Sequence, residues 1–534
     1  VRFVGDPVAC AIAETLAQAK DAAEAVTLDI EPLPVVLGPA AAVQPGAPLL
    51  YDAVPNNLAL DYHFGDAEKV AAAFAKAAHV TRLATSNQRM VVAAMEPRAA
   101  IGEFDAGSGK WTLHSSSQGV MGMKAALMDI LGAPADKVRV LTPQVGGSFG
   151  MKAGVYPEYV CILHGARMLG RPVKWTDERS GSFVSDHHGR AQDMTVEIAF
   201  DADAHILALR LTGYGDMGGY LAQFGPLLPT GNIVKNVVGA YRTPLLELSS
   251  RCVFTNTTFV SAYRGAGRPE GNYYMERALD YAASELGIDR IELRKRNLIR
   301  KSDLPFKAAS GMTYDCGDFP AVLKQALELA DHKGFAKRKR ASKKRGLLRG
   351  FGLACYLEVT AADTKEMGGI RFNADGTVTI VSGTLDYGQG HATAFAQVLS
   401  EKLGVPFDRI RLLQGDSDQL VFGGGTGGSR SAMLGGGAVS EAAAKAIEQG
   451  RQIASHVLEA SASDIEFKAG RFVIAGTDRS IGVMELAERL RAGLSLPDGM
   501  PATLDVTHVT DAIPGAFPNG CHIAEVEIDP QTGA

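Results

Sequence analysis

The chain carries two copies of one sequence pattern, and this repeat limits the possible folds more than any other feature. Gln118 and Gln389 are 271 residues apart, and each stands in a Gln-Gly pair between a predicted strand and a predicted helix. The helices run into L-G-A-P-A-D-K-V-R-V-L from Leu131 and L-G-V-P-F-D-R-I-R-L-L from Leu403, which align without a gap. A glycine-rich loop follows each string. The repeat therefore predicts two related α+β halves that hold one ligand between them.

The second glycine loop, Gly423 to Gly437, reads G-G-G-T-G-G-S-R-S-A-M-L-G-G-G. Glycine allows positive φ, and successive N–H groups in such a loop can converge on an anion. Arg430 adds a cation suited to phosphate, and a helix predicted over 438–454 adds the positive end of its dipole. The alternative is a mobile linker, but linkers seldom contain Arg or run straight into a patterned helix. We expect an anion cradle.

The first glycine loop, Gly146 to Gly150, reads G-G-S-F-G and contains G-x-S-x-G around Ser148. A serine nucleophile elbow needs a strand directly before it and a helix directly after it. Pro143 precedes this loop and Pro157 follows it, which disfavours a serine hydrolase. Neither loop reads G-x-x-x-x-G-K-[S/T], so the chain is no P-loop NTPase.

Two further stretches carry arginine or lysine. Ser261 to Glu270 reads S-A-Y-R-G-A-G-R-P-E before a predicted helix, and Arg264 and Arg268 there make either an anion-facing site or a solvated turn. Lys333 to Arg349 is basic, and we expect it to be a solvated face that links the two halves.

Composition excludes several functional classes. The 54 basic and 59 acidic residues give a net charge of −5, which does not favour nucleic acid or an anionic membrane. We expect no transmembrane helix, because no apolar run approaches about 18 residues. The six cysteines are scattered, which fits buried thiols in a reducing, cytoplasmic compartment and no iron–sulfur or zinc motif. The histidines show no metal-ligand spacing, so we expect no metal held by side chains.

The two ends of the chain read as incomplete elements. Over 1–36 the pattern predicts strands at R-F-V, V-A-C-A-I-A and A-V-T-L-D-I, with a helix from Glu14 to Glu24, before a linker over 38–55. The last strand, His522 to Ile528, runs into a turn with no return strand. We expect residues to be missing at both ends.

Five ordered motifs resemble the molybdenum hydroxylases, the xanthine oxidase and aldehyde oxidase family, in the branch similar to carbon monoxide dehydrogenase. They are S-S-S-Q-G, G-G-S-F-G-M-K, A-Y-R-G-A-G-R-P-E, Y-G-Q-G-H-A-T and G-T-G-G-S-R-S. The resemblance implies an α+β fold with a small α/β hammerhead-like domain over 1–60 and molybdopterin-binding halves over 64–310 and 345–534. It also implies molybdopterin, in its cytosine dinucleotide form, with molybdenum held by the pterin dithiolene rather than by side chains.

The same resemblance implies roles for individual residues. Gln118 would donate to an oxygen on molybdenum, Phe149 and Gly150 would pack beside the metal, and Arg264 would line the active site. The resemblance places these residues at the cofactor: Gln118, Gly147, Phe149, Gly150, Arg264, Gly388, Gln389, Gly390, Gly427, Gly428, Ser429, Arg430 and Ser431.

Three departures from the family pattern limit the activity. Gly265 stands where copper-containing relatives have a copper-binding Cys, which disfavours carbon monoxide as the substrate. Ala153 stands where purine-oxidising relatives have Glu. The catalytic base of the family is a Glu near the C-terminus, expected beyond residue 534.

We therefore expect the catalytic large subunit of an oxidoreductase that hydroxylates an aldehyde or an N-heterocyclic carbon with oxygen from water. The resemblance implies a small iron–sulfur subunit, an FAD subunit and a dimer of heterotrimers. The alternative is a non-catalytic protein that binds or carries the cofactor. Metal analysis and substrate-dependent dye reduction would separate the two.

Overall fold

The structure, a computed structural model, describes residues 1–361 and 364–534. It is a mixed α+β fold. Its helices are α1 Leu16–Glu24, α2 Pro39–Ala42, α3 Ala67–Ala75, α4 Val120–Leu131, α5 Pro157–Leu169, α6 Arg179–Ser185, α7 Gly231–Val237, α8 Arg268–Leu286, α9 Arg290–Asn297, α10 Phe319–Leu329, α11 Phe335–Lys344, α12 His391–Leu403, α13 Gly436–Leu458 and α14 Val483–Arg491.

The strands form several separate sheets. They are β1 Leu58–Phe64, β2 His79–Asn87, β3 Met90–Val91, β4 Ala99–Asp105, β5 Lys110–Ser115, β6 Val138–Leu141, β7 Val173–Thr176, β8 His188–Gly189, β9 Gln192–Phe200, β10 Ile206–Gly218, β11 Leu246–Phe254, β12 Phe306–Lys307, β13 Thr313–Tyr314, β14 Leu348–Leu357, β15 Met367–Phe372, β16 Val378–Ser382, β17 Ile410–Leu413, β18 Ile465–Lys468, β19 Arg471–Ile474, β20 Ser480–Gly482, β21 Val506–Val509 and β22 Asn519–Ile528.

The sequence repeat corresponds to a structural repeat. One four-stranded sheet has the order β6-β5-β4-β7 and the other has the order β17-β16-β15-β21. In both, the first pair is parallel and the other two pairs are antiparallel. The helices α4 and α12 both end at a left-handed glycine, Gly132 (φ 61°) and Gly404 (φ 63°), which is the second residue of the matching L-G-x-P string. The predicted two related halves are confirmed.

The two repeated sheets meet and share a core. The Thr142 N–H donates to the Gly415 carbonyl over 2.7 Å, and Arg139 forms an ion pair with Asp416 at 2.7 Å. Met367 and Val381 of the second half are buried in the same apolar cluster as strands β5 and β6 and helix α4 of the first. The loops that follow β5 and β16 therefore belong to one packed unit.

The five-stranded sheet, of order β1-β11-β10-β9-β2, packs against α7 and α8 through the largest apolar cluster. Strand β22 pairs in antiparallel register with β14, and Leu353, Cys355 and Leu357 of β14 belong to this same cluster. Among the described residues, no helix is both long enough and apolar enough to cross a membrane.

Two expectations for the chain's structure are wrong. The three strands predicted before residue 37 do not form, because the alternating side chains there are mostly exposed; the predicted helix does form, as α1, with Thr15 as its cap. The basic stretch is not simply a solvated face. Arg338 and Arg349 pair with Glu525, and Arg349 and Arg345 pair with Glu527, which fixes α11 to β22.

Candidate cofactor site

Gln118 lies where the two halves meet. Its side-chain oxygen accepts hydrogen bonds from the Ser148 hydroxyl at 2.5 Å and from the Gly150 N–H at 3.0 Å. Its side-chain nitrogen donates to the Thr426 carbonyl at 2.7 Å. A carboxamide nitrogen carries two hydrogens, so this fixed orientation leaves a second N–H available to a ligand.

The backbones of the two halves touch at this point. A Cβ added to Gly119 would lie 2.8 Å from the Gly425 Cα, and one added to Gly425 would lie 2.6 Å from the Gln118 carbonyl oxygen. The Thr426 N–H also donates to that carbonyl at 3.0 Å. Glycine is therefore required at both positions, because any side chain would push the halves apart.

The first glycine loop presents Phe149 to solvent from a constrained backbone. Phe149 has φ 53° and an exposed fraction of 36%. Gly150 has φ 113°, and a Cβ there would lie 2.0 Å from the Ala262 carbonyl oxygen. Gly147, with φ 93°, leaves room for the Phe149 ring, which a Cβ would approach to 2.9 Å. These three residues fix an aromatic ring beside Gln118.

The loop that carries Arg264 is held against Phe149. The Arg264 N–H donates to the Phe149 carbonyl at 2.8 Å, and the exposed guanidinium lies 5.9 Å from the centre of the Phe149 ring. Arg190 donates to the Arg264 carbonyl at 2.8 Å and to the buried Glu270 carboxylate at 3.0 Å. Arg264 is therefore an exposed cation, and the ion pair of Arg190 with Glu270 holds the backbone of its loop in place.

The second arginine of this loop, Arg268, points into the protein, 3.8 Å from the Glu358 carboxylate, and is not part of a solvated turn. Arg268 is buried, and it donates to the Val359 carbonyl at 2.7 Å and to the Gly265 carbonyl at 3.2 Å. Burial lowers its pKa, against the opposing effect of nearby Glu358. Arg268 therefore fastens the loop to the end of β14.

Tyr387 of the second half reaches the same carbonyl as Gln118. Its hydroxyl donates to the Thr426 carbonyl at 3.2 Å. Burial raises the pKa of Tyr387 to about 12, although the positive charges of Arg430 and Arg264 act in the opposite direction. Side chains from both halves thus converge on Thr426, within electrostatic range of Arg264.

Gln389 occupies the position equivalent to Gln118, but its side chain is exposed and accepts a hydrogen bond from the N–H of Tyr387 in its own turn at 2.7 Å. The N–H groups of Gly388, Gln389 and His391 donate to the Asp386 carboxylate at 2.7–2.8 Å. Burial alone would raise the pKa of Asp386, but these N–H groups outweigh it and lower the pKa. The Asp386 carboxylate therefore accepts the N–H groups that this turn would otherwise offer to a ligand.

Arg430 folds back onto the second glycine loop. Its guanidinium donates to the Gly424 carbonyl and to the Gly425 carbonyl, the latter at 3.1 Å. The Gly424 N–H in turn donates to buried Glu366 at 3.2 Å. Burial raises the pKa of Glu366 to about 7, and burial lowers the pKa of Arg430. The arginine of the expected anion cradle therefore shapes the loop.

The cradle itself consists of backbone. Gly428 and Ser429 have φ 61° and 57°, and Arg430 has φ −97°, a left-handed to right-handed succession that forms anion-binding concavities. The N–H groups of Gly427, Gly428, Ser429 and Arg430 donate to no acceptor within 1–361 and 364–534. Such a set of N–H groups fits a diphosphate. The Ser431 hydroxyl is within 3.0 Å of the Thr426 hydroxyl.

Sequence reasoning missed residues that support the site without contacting its centre. Buried Lys152 forms an ion pair with Glu96 at 2.7 Å, and Glu96 also accepts the Gly146 N–H at 2.7 Å. Arg190 and Glu270 hold the loop of Arg264 in the same way, and Glu366 holds the second glycine loop. Lys152 lies in the G-G-S-F-G-M-K motif and Glu270 in the A-Y-R-G-A-G-R-P-E motif. Glu96, Arg190 and Glu366 lie outside the five motifs, and no local sequence pattern marks them.

Comparisons with known proteins identify the family of the chain. Residues 50–298 and 325–534 match family models described as molybdopterin cofactor-binding domains. The chain is 32% identical to subunit gamma of the 6-hydroxypseudooxynicotine dehydrogenase complex of Paenarthrobacter nicotinovorans, covering 100% of this chain and 67% of that protein. It is 31% identical to the carbon monoxide dehydrogenase large chain of Hydrogenophaga pseudoflava, covering 100% and 70%.

A solved structure of quinoline 2-oxidoreductase from Pseudomonas putida 86 matches with a TM-score of 0.91 at 30% identity, covering 98% of this chain and 68% of that one. The fold and the two family models thus define a molybdopterin-binding protein. The chain belongs to the molybdenum hydroxylase family, and it is a catalytic large subunit of that family's molybdenum-containing oxidoreductases.

The described residues, 1–361 and 364–534, contain no group of three or more His, Cys, Asp and Glu side chains placed to hold a metal ion.

Proposed function

We propose that this subunit hydroxylates an N-heterocyclic carbon or an aldehyde, with oxygen from water. The observation that carries the proposal is the orientation of Gln118, which both halves fix so that one N–H remains available. Bound molybdopterin would supply the two-electron oxidation chemistry. Gln118 then donates a fixed hydrogen bond, which costs no reorganisation during reaction.

The cofactor would bind along the seam between the halves, in the cytosine dinucleotide form. The N–H groups of Gly427, Gly428, Ser429 and Arg430, which donate to no acceptor among the described residues, suit its diphosphate. Phe149 and Gly150 would give the cofactor an apolar, water-excluding wall. The residues proposed to hold it are Gln118, Gly147, Phe149, Gly150, Arg264, Gly388, Gln389, Gly390, Gly427, Gly428, Ser429, Arg430 and Ser431.

N-heterocycles are the favoured substrates over carbon monoxide. Gly265 has φ 94°, and a Cβ there would lie 2.2 Å from the Pro269 ring, so this backbone leaves no room for a copper-binding thiol. Relatives are named nicotine 6-hydroxylase and quinoline 2-oxidoreductase. Arg264 would orient the substrate by donating to a ring nitrogen or a carbonyl.

The electron acceptors are proposed to be separate subunits. Relatives are named as a large chain, a large subunit and a subunit gamma, which implies partner subunits in those proteins. We propose a small iron–sulfur subunit, an FAD subunit, a dimer of heterotrimers and a cytoplasmic location. The catalytic base is proposed to be a Glu beyond residue 534.

The test is dye reduction by the full-length chain, coproduced with its partner subunits in a molybdenum-replete host. A panel of pyridines, quinolines, aldehydes and carbon monoxide should give turnover with a heterocycle or an aldehyde, and product formed in ¹⁸O-labelled water should carry the label. Normal molybdenum content without turnover on any compound would favour a cofactor carrier. Turnover on carbon monoxide would contradict the substrate proposal.

A further inference from the structure

Cys355 and Cys521 face each other across the β14–β22 pair. The Glu358 N–H donates to the Pro518 carbonyl at 2.8 Å, whereas the Leu357 carbonyl accepts from the Asn272 side chain at 3.1 Å, so the even-numbered residues of this strand direct their N–H and C=O groups toward the partner strand. In an antiparallel pair this marks Cys355 and Cys521 as a non-hydrogen-bonded pair, with Cα atoms about 4.5 Å apart. That separation lies inside the range that a disulfide spans.

The two thiols differ in exposure. Cys355 is buried in the large core, whereas Cys521 is partly exposed. The neighbouring Cys355 thiol lowers the pKa of Cys521, against the opposing effect of burial. A partly exposed, more acidic thiol beside a buried one has the arrangement of an attacking and a resolving cysteine.

We propose that Cys355 and Cys521 form a modification site, a dithiol that a low-molecular-weight disulfide converts into an intrachain disulfide. The Cys521 thiolate attacks one sulfur of the oxidant and releases one thiol, leaving a mixed disulfide. The Cys355 thiolate then attacks the Cys521 sulfur and releases the second thiol. The two protein thiols lose two protons and two electrons, and the oxidant takes them up as two thiols.

The site lies on the strand that leads into the contacts of two loops proposed to hold the cofactor, the second glycine loop and the loop that carries Arg264. Directly after β14, the Glu358 carboxylate accepts from the Ser429 hydroxyl at 2.6 Å, and the Val359 carbonyl accepts from Arg268 at 2.7 Å. A bond between Cys355 and Cys521 would fix this strand to β22 two residues before its end.

The experiment treats the purified full-length complex with oxidised glutathione, blocks free thiols and maps peptides by mass spectrometry without reduction. We expect a linked pair of peptides carrying Cys355 and Cys521, with both thiols lost together and recovered with dithiothreitol. Exposed Cys316 lies beside Asp315 rather than beside a second cysteine, so it should form a glutathione adduct instead. A Cys521 adduct beside a free Cys355, or no reaction at a dose that modifies Cys316, would overturn the proposal.

Two variants test the order of steps. In Cys355→Ser, the Cys521–glutathione adduct should persist, because the resolving thiol is absent. In Cys521→Ser, which changes the more exposed residue, buried Cys355 should remain unmodified. Modification of Cys355 in this second variant, at the rate seen in the unaltered protein, would contradict the assigned roles.

Discussion

The side-chain amide of Gln118 donates to the backbone carbonyl of Thr426 over 2.7 Å and so ties the two repeated halves together at their glycine loops. The hydroxyl of Tyr387 reaches the same carbonyl at 3.2 Å. The proposed cofactor site therefore lies at the interface between the halves and is not complete in either half alone.

Gln118→Ala should both destabilise the protein and lower its cofactor content. It removes three hydrogen bonds and leaves buried Ser148 and the Gly150 N–H without their acceptor. We expect a loss of about 2–3 kcal/mol in the free energy of unfolding. Gln389→Ala is the matched control from the other half, where the side chain is exposed and the loss should be below about 0.5 kcal/mol. Equal losses in both variants would contradict the asymmetry between the halves.

Arg430→Ala should lower cofactor occupancy through the shape of the loop. The guanidinium holds the carbonyls of Gly424 and Gly425, and its loss should cost about 1.5–3 kcal/mol, roughly ten- to a hundredfold in affinity. Arg430→Lys should restore little, since an ammonium lacks the planar fork. Arg411→Ala, at an exposed ion pair with Asp375, is the control. Molybdenum content at limiting cofactor is the measurement, and unchanged content in Arg430→Ala would refute the role.

The stability of the protein should depend on pH through Glu366, which is fully buried. Burial raises its pKa from 4.5 to about 7, so the folded state binds the proton more tightly than the unfolded state. The contribution of Glu366 to the free energy of unfolding is fully present below about pH 4.5. It is lost as the pH rises to about 7, in total roughly 3 kcal/mol.

Glu366→Gln should remove this dependence and should make the protein more stable than the parent at pH 8. Denaturant unfolding between pH 5 and pH 8 checks it, with exposed Glu401→Gln as the control. If the parent and Glu366→Gln lose stability in parallel across this range, the group that titrates is another one.

Gly265→Cys should not create carbon monoxide oxidation. The positive φ of 94° and the 2.2 Å approach to Pro269 should make the substitution cost at least about 2 kcal/mol. Gly122→Cys, on an exposed helix position with no atom within 4 Å, should be tolerated. Thermal unfolding and dye reduction under carbon monoxide measure the outcome. A stable Gly265→Cys protein that oxidises carbon monoxide would show that this loop can move.

Much of the fold and part of the site could be predicted from the sequence. The periodic helices and the L-G-x-P strings are local signals, and they predicted the two halves and the position of Gln118. The partners of Gln118 could not be predicted, because Thr426 is 308 residues away and is contacted through its backbone. The orientation of the Arg430 side chain could not be predicted either, because the buried Glu366 carboxylate and two loop carbonyls determine it.

The strands predicted before residue 37 are a case in which a local sequence pattern did not give the expected structure. Alternation of apolar and polar residues predicts a strand only where a neighbouring strand is available for pairing. Residues such as Val8, Ile12 and Leu28 remain exposed, so the pattern there has no sheet to join among the described residues.

We propose that the seam between the halves binds molybdopterin as its cytosine dinucleotide. The most direct measurement is the molybdenum and cytidine monophosphate released by mild acid from the purified full-length complex, each compared with the chain concentration. We expect stoichiometric amounts of both, and a parallel decrease of both in Gln118→Ala and Arg430→Ala. Folded complex from a molybdenum-replete host that releases neither compound would contradict it.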